Sequence, residues 1–87
     1  MIESRTTRSF RTAFAALPQE IQTQARRAYR LFRDNPNHPS LRFKRVEQVE
    51  NVYSVRIGLG YRALGVLDGT TVTWFWIGPH AEYDRLV

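Results

Sequence analysis

Apolar and polar positions follow two rhythms along the chain. From Asn51 onward the period is two. Val52–Ile57, Tyr61–Leu67 and Thr71–Ile77 are rich in β-branched and aromatic residues, and each run ends at a turn signal. Gly58-Leu59-Gly60 supplies flexible backbone between the first two runs. Asp68-Gly69, both tolerant of positive φ, separates the second from the third. Gly78-Pro79 is expected to stop the sheet, because proline cannot donate to a ladder. Before Asn51 the period is helical. Phe10, Phe14 and Leu17 fall at i, i+4 and i+7 within Arg8–Leu17, with Ser9 or Thr7 as the cap. Pro18 suits the first turn of a second helix, where Ile21, Ala25, Ala28, Tyr29 and Phe32 form one stripe. Arg26, Arg27, Arg30 and Arg33 occupy its other face.

Three weaker segments complete the reading. Met1–Thr7 is a sparse strand candidate. Asp34–Ser40, with two prolines and two asparagines, is an irregular loop. Leu41–Val46 alternates apolar and basic residues and is predicted as a strand, with Arg42 and Lys44 on one face and Arg45 towards the other. Glu47–Glu50 is a polar turn. The expected architecture is a two-layer α+β fold of order β-α-α-β-β-β-β. Its sheet is antiparallel-rich, with four to five strands and a helical pair on one face. The second face of the sheet is expected to be open and partly basic.

Charge adds a direction to this outline. The 87 residues form one expected domain, 1–87, and carry a net charge of +5. Twelve of the thirteen basic residues are arginine, Lys44 being the exception. Guanidinium pairs with phosphate through two parallel bonds and stacks on bases, so an arginine-rich surface suits nucleic acid or an acidic protein. A solvated helix face explains the row on the second helix equally well. The chain has no cysteine, which excludes disulfides and thiolate metal sites and fits a reducing compartment. The N-terminus has no signal-peptide core, and no apolar run approaches the roughly 20 residues of a membrane span.

Candidate chemistry is narrowed by what the chain lacks. Two histidines without cysteine or spaced carboxylates do not suggest a metal site, and no cofactor motif is present. No nucleophile elbow or carboxylate pair stands out. Metal-free attack on a phosphodiester remains, because RNA supplies its own 2′-hydroxyl nucleophile. An enzyme then has to align it, move protons and stabilise the phosphorane. His80 and Tyr83 are the proton carriers, Tyr83 also being a stacking platform. Arg56 and Arg62 are the phosphate clamp. Each has a structural alternative. His80 can cap the sheet end, Tyr83 and Leu86 can dock a helical tail, and Arg62 can form an ion pair. Trp74 and Trp76 suit a core or a partner interface as well as base stacking.

The order of these pieces resembles the RelE/ParE superfamily of toxins from bacterial type II toxin–antitoxin systems. The resemblance rests on the helical pair, HPSLRFKRV, VYSVRIGLGYRALGVLDG and WIGPHAEYDRL, and spans nearly the whole chain. It implies a RelE-like fold, a cytoplasmic location, a cognate antitoxin, and roles such as plasmid stabilisation. It also implies metal-independent, ribosome-dependent cleavage of mRNA, which inhibits translation. The superfamily also contains gyrase inhibitors without catalysis, and a degenerate toxin that only binds its antitoxin is a further reading. By resemblance, Arg62 in Gly60-Tyr61-Arg62 matches the phosphate-binding arginine, and Arg56 a basic position on the preceding strand. His80 resembles the C-terminal histidine of some members, and Tyr83 falls near a C-terminal tyrosine. Lys44 and Arg45 match basic positions that contact RNA. Ser54 stands where a lysine is found in RelE.

Overall fold

The computed structural model describes residues 2–47 and 49–86. Met1 of the predicted first strand, Gln48 of the predicted turn and Val87 lie outside the described residues. The elements run β1 (Glu3–Thr6), α1 (Arg8–Ala15), α2 (Gln19–Asp34), β2 (Lys44–Arg45), β3 (Val52–Ile57), β4 (Tyr61–Asp68), β5 (Thr71–Pro79) and α3 (His80–Leu86). The five strands form one mixed sheet in the order β1-β5-β4-β3-β2. β1 is parallel to β5, and the other pairs are antiparallel.

Local chemistry explains the boundaries of the helical pair. The Thr7 side chain accepts a 3.1 Å hydrogen bond from the Phe10 N–H and so starts α1. Pro18 occupies the cap position of α2. α1 packs on β5 and α2 on β3. Between helices and sheet lies the main core, with Ala25, Phe32, Leu41, Val55, Ile57, Ala63, Val72, Trp74 and Ile77 buried. Fully burying a Val, Ile or Phe side chain contributes roughly 1.5–3 kcal/mol, so this layer dominates stability.

Three segments differ from the periodicity. The predicted Leu41–Val46 strand is only Lys44–Arg45. A 3₁₀ turn at Pro39–Leu41 precedes it, and Arg42 has φ +46°, a left-handed conformation that redirects the chain before alternation begins. β5 runs on to Pro79, which pairs with Tyr61. Proline is tolerated at this strand end, and the next ladder donor is the His80 N–H, 2.8 Å from the Gly60 carbonyl. The tail forms α3, which partly covers the face expected to be open. Tyr83 packs there in a second cluster with Val46 and Leu64, flanked by Val52, Phe75 and Trp76.

A β-bulge reorganises β5. Gly65 pairs with Trp74 and Leu64 with Trp76, so Phe75 has no partner and the inward phase flips. Val72 and Trp74 face the helical pair, as does Ile77 beyond the bulge, while Trp76 belongs to the α3 cluster. Gly65 permits this. A β-carbon there would sit 2.6 Å from Val72 Cγ1 and 2.7 Å from Trp74 Cε3.

Candidate functional site

The β3–β4 register sets Arg56 directly opposite Arg62. Paired residues share a face, and these two lie on the face that carries α3. Like charges placed opposite each other are destabilising in a sheet. Arg56 turns towards the hairpin, its Nε donating to the Gly58 carbonyl at 3.0 Å. Gly58 has φ +59°, which the turn requires. The Arg62 guanidinium lies over Tyr83, with Cζ 5.5 Å from the ring centroid. Arg62 Nε and Nη1 are buried and have no hydrogen-bond partner among the described residues. The ion pairs among the described residues are Arg33–Asp34 and His80–Asp84, and neither involves Arg56 or Arg62.

The other half of the site comes from the β5–α3 junction. His80 opens α3, and its ring centroid is 5.9 Å from that of Tyr83. The buried Tyr83 ring therefore neighbours both Arg62 and His80. His80 Nδ1 lies 3.1 Å from Asp84 Oδ2, one helical turn on. Opposite Arg62 stands Gly78, where a β-carbon would meet Trp76 Cζ2 at 2.6 Å and Glu82 Oε2 at 3.3 Å. Ser54, two residues before Arg56 on the same face, is fully buried with an unpartnered hydroxyl.

Arg56, Arg62, Tyr83 and His80 are thus brought together. Lys44 pairs with Ser54, which sets it on the same face, further along the sheet. Arg45 pairs with Tyr53 and so lies on the opposite face, at the edge of the helical layer. Asp84 was not singled out by sequence reasoning, although its i+4 spacing from His80 in a helical tail is a readable signal. Trp74 is a core residue, and Trp76 flanks the site. No group of three or more His, Asp or Glu residues could hold a metal ion among the described residues.

The helical face carries a different feature. A cavity of about 360 Å³ lies between the helical pair and the sheet, floored by apolar residues such as Phe14, Phe32 and Trp74. It continues between β1 and α2 into a second hollow, the two sharing Ser4, Arg5 and Tyr29. Arg5, Arg26 and Arg33 line the two hollows.

A small mixed sheet flanked by a helical pair and a C-terminal helix, with paired arginines on the face that carries that helix, is the arrangement of the RelE-like fold. The chain matches the family model of the ParE-like toxin domain over residues 19–85 and belongs to that family, within the RelE/ParE superfamily. Its fold superposes on a chain of the RelB-RelE antitoxin-toxin complex from Methanococcus jannaschii with a TM-score of 0.75 at 16% identity, covering 95% of this chain and 99% of that one. YafQ from E. coli strain BL21(DE3) gives a TM-score of 0.75 at 8% identity, with 95% and 98% covered. The isolated E. coli RelE toxin gives 0.70 at 10% identity, with 99% and 96% covered. No curated protein sequence matches the chain.

Proposed function

We propose that this toxin is a metal-independent endoribonuclease that cleaves mRNA on the ribosome. The observation that carries the reading is Arg62. Its guanidinium has two buried nitrogens without a hydrogen-bond partner among the described residues and lies over the Tyr83 ring, which neighbours His80, and a second arginine stands opposite it in the strand register. A buried donor left unsatisfied costs about 1–3 kcal/mol, and a phosphate would repay both that cost and the arginine–arginine repulsion. His80 accepts the proton of the 2′-hydroxyl as the 2′-oxygen bonds to phosphorus. The bond from phosphorus to the 5′-oxygen breaks, and the Tyr83 phenol protonates that oxygen. Arg62 and Arg56 balance the phosphorane charge. The products are a 2′,3′-cyclic phosphate and a 5′-hydroxyl. Lys44 holds the backbone of the RNA on the same face, and Arg45 contacts RNA from the β2 edge.

The test is cleavage of ribosome-bound message by purified variants, with folding checked by circular dichroism. His80→Ala is expected to lose on the order of 10²–10⁴ in rate, the usual share of positioned acid–base catalysis. Arg62→Ala should lose a comparable factor, and Arg62→Lys should recover little of it because lysine lacks the fork. Full cleavage by a folded His80→Ala protein would remove His80 from the chemistry. The ParE-like family match also supports inhibition of DNA gyrase without catalysis. Induced expression separates the two readings. Early arrest of protein synthesis belongs to the ribonuclease, and early loss of supercoiling activity to the gyrase inhibitor.

The proposed protein partner is a cognate antitoxin with an acidic amphipathic segment. The M. jannaschii protein was crystallised as an antitoxin–toxin complex. In this chain the arginine-lined apolar groove between β1 and α2 suits such a segment in both shape and charge.

A further inference from the structure

Three buried side-chain polar atoms have no hydrogen-bond partner among the described residues: Ser54 Oγ, Arg62 Nε and Arg62 Nη1. All of them belong to the face of the sheet that carries α3. Ser54 stands opposite Leu64 in the β3–β4 register, and Arg62 precedes Leu64 by two on the same face. Diagonal neighbours of this kind lie roughly 7–8 Å apart, within reach of a long side chain. A guanidinium and a hydroxyl both donate, and this guanidinium takes part in neither ion pair of the described residues. Burying an unpaired charge is costly, and a tetrahedral oxyanion would accept from both residues at once.

The cover over these donors is α3. Leu64 and Val46 pack with Tyr83, and the Arg62 Cζ lies 5.5 Å from the Tyr83 ring centroid. Tyr83 is the one buried residue of α3, while Ala81, Glu82, Asp84, Arg85 and Leu86 are exposed. A helix of 7 residues is not stable in isolation, so α3 keeps its place mainly through that ring. Its start is fixed separately. Pro79 pairs with Tyr61, and the His80 N–H donates to the Gly60 carbonyl at 2.8 Å. Detaching Tyr83 therefore frees the helix from Ala81 onward and leaves the His80 backbone on the sheet. Segments held by few buried groups open locally at far less cost than global unfolding. We propose that Ser54 and Arg62 form one anion subsite beneath α3, and that α3 is a lid that lifts from Ala81 onward to admit an RNA phosphate. The inference rests on the ribonuclease reading for the source of that phosphate. Once the phosphate is seated, Tyr83 closes over it, as the proposed proton transfer requires. Ser54 is then a phosphate ligand, and Tyr83 is the latch of the lid.

The experiment is a titration of the intact ¹⁵N-labelled protein with inorganic phosphate at constant ionic strength, read at the Arg62 Nε–H resonance, together with amide hydrogen exchange. In the wild type the Arg62 signal should shift with added phosphate, and the amides of α3 should exchange faster than those of β4. Tyr83→Ala, which unlatches the lid, should bind phosphate on the order of tenfold more tightly, because the closed form no longer competes. Ser54→Ala should bind about tenfold more weakly, the loss of one hydrogen bond to a charged group. Its urea unfolding should be unchanged, because the hydroxyl has no partner to lose among the described residues. An Arg62 signal that ignores phosphate even in Tyr83→Ala overturns the subsite. Equal affinity in wild type and Tyr83→Ala overturns the lid, and equal affinity in wild type and Ser54→Ala overturns the role of Ser54. Cleavage of ribosome-bound message by the same wild-type preparation separates this inference from the reading it rests on. The predicted binding pattern in a toxin that never cleaves supports the lidded subsite and overturns the ribonuclease reading alone. A toxin that cleaves while all three proteins bind phosphate alike overturns the inference and leaves that reading intact.

Discussion

The two faces of the sheet solve opposite problems. The face under α1 and α2 is apolar and incompletely filled, with a cavity of about 360 Å³ whose lining includes Arg5 and Arg26. Protein interiors are close-packed, and an apolar hollow of this size is more than a few side-chain rearrangements would close. The face under α3 is crowded, with Trp76, Phe75 and Leu64 around Tyr83, yet it holds a guanidinium with unpartnered nitrogens. One face has unfilled apolar space, and the other has a guanidinium without a hydrogen-bond partner among the described residues. On the proposed reading, the first face takes a protein and the second a phosphodiester, with the sheet keeping the two apart.

Deleting one tryptophan from each face gives the largest contrast. Trp74 is buried in the main core and stacks edge-on against Phe32 at 5.5 Å. Trp74→Ala should cost about 3–5 kcal/mol in urea unfolding, enough to unfold a domain of this size under mild conditions. Trp76 is only partly buried in the smaller cluster, and Trp76→Ala should cost about half as much or less. Equal losses would mean that the bulge does not divide the two rings between faces. A smaller effect is expected from charge reversal in the groove. Arg26→Glu, on the exposed side of α2 at the groove, should slow association with the cognate antitoxin by on the order of tenfold, the effect of a rim charge on encounter. Cleavage by the free toxin should be unchanged, because Arg26 is on α2, on the other face of the sheet from His80 and Arg62. A parallel loss of cleavage would show that the faces are coupled.

Much of this layout was legible from spacing. The amphipathic stripes placed both helices, and Gly58-Leu59-Gly60 and Asp68-Gly69 placed both hairpins, because each signal is local. Pairing of Arg56 with Arg62 follows from that first turn once the register is known. The β2 region was not legible, since nothing in LRFKRV announces a left-handed Arg42. Nor was the division of Trp74 from Trp76. Strict alternation puts residues i and i+2 on one face, and only the cross-strand partner of Gly65 reveals the extra residue. The burial of Tyr83 and its contact with Arg62 depend on α3 folding back across the sheet, which is a tertiary event. Asp84 was readable in principle, but its spacing gained meaning only after the tail proved helical.

The claim at the centre of this account is that Arg62 serves an anion rather than the fold. It is tested most directly by Arg62→Met, with urea unfolding and cleavage of ribosome-bound message measured on the same preparation. Methionine keeps the aliphatic bulk and a contact with the Tyr83 ring while removing the unpaired charge. The account predicts stability within about 1 kcal/mol of the wild type, because no hydrogen bond among the described residues is lost and a sulfur contact replaces the guanidinium over the Tyr83 ring. Cleavage should fall by on the order of 10² or more. A loss of about 2 kcal/mol in stability with cleavage retained would contradict it, and would make Arg62 a structural residue of the α3 face.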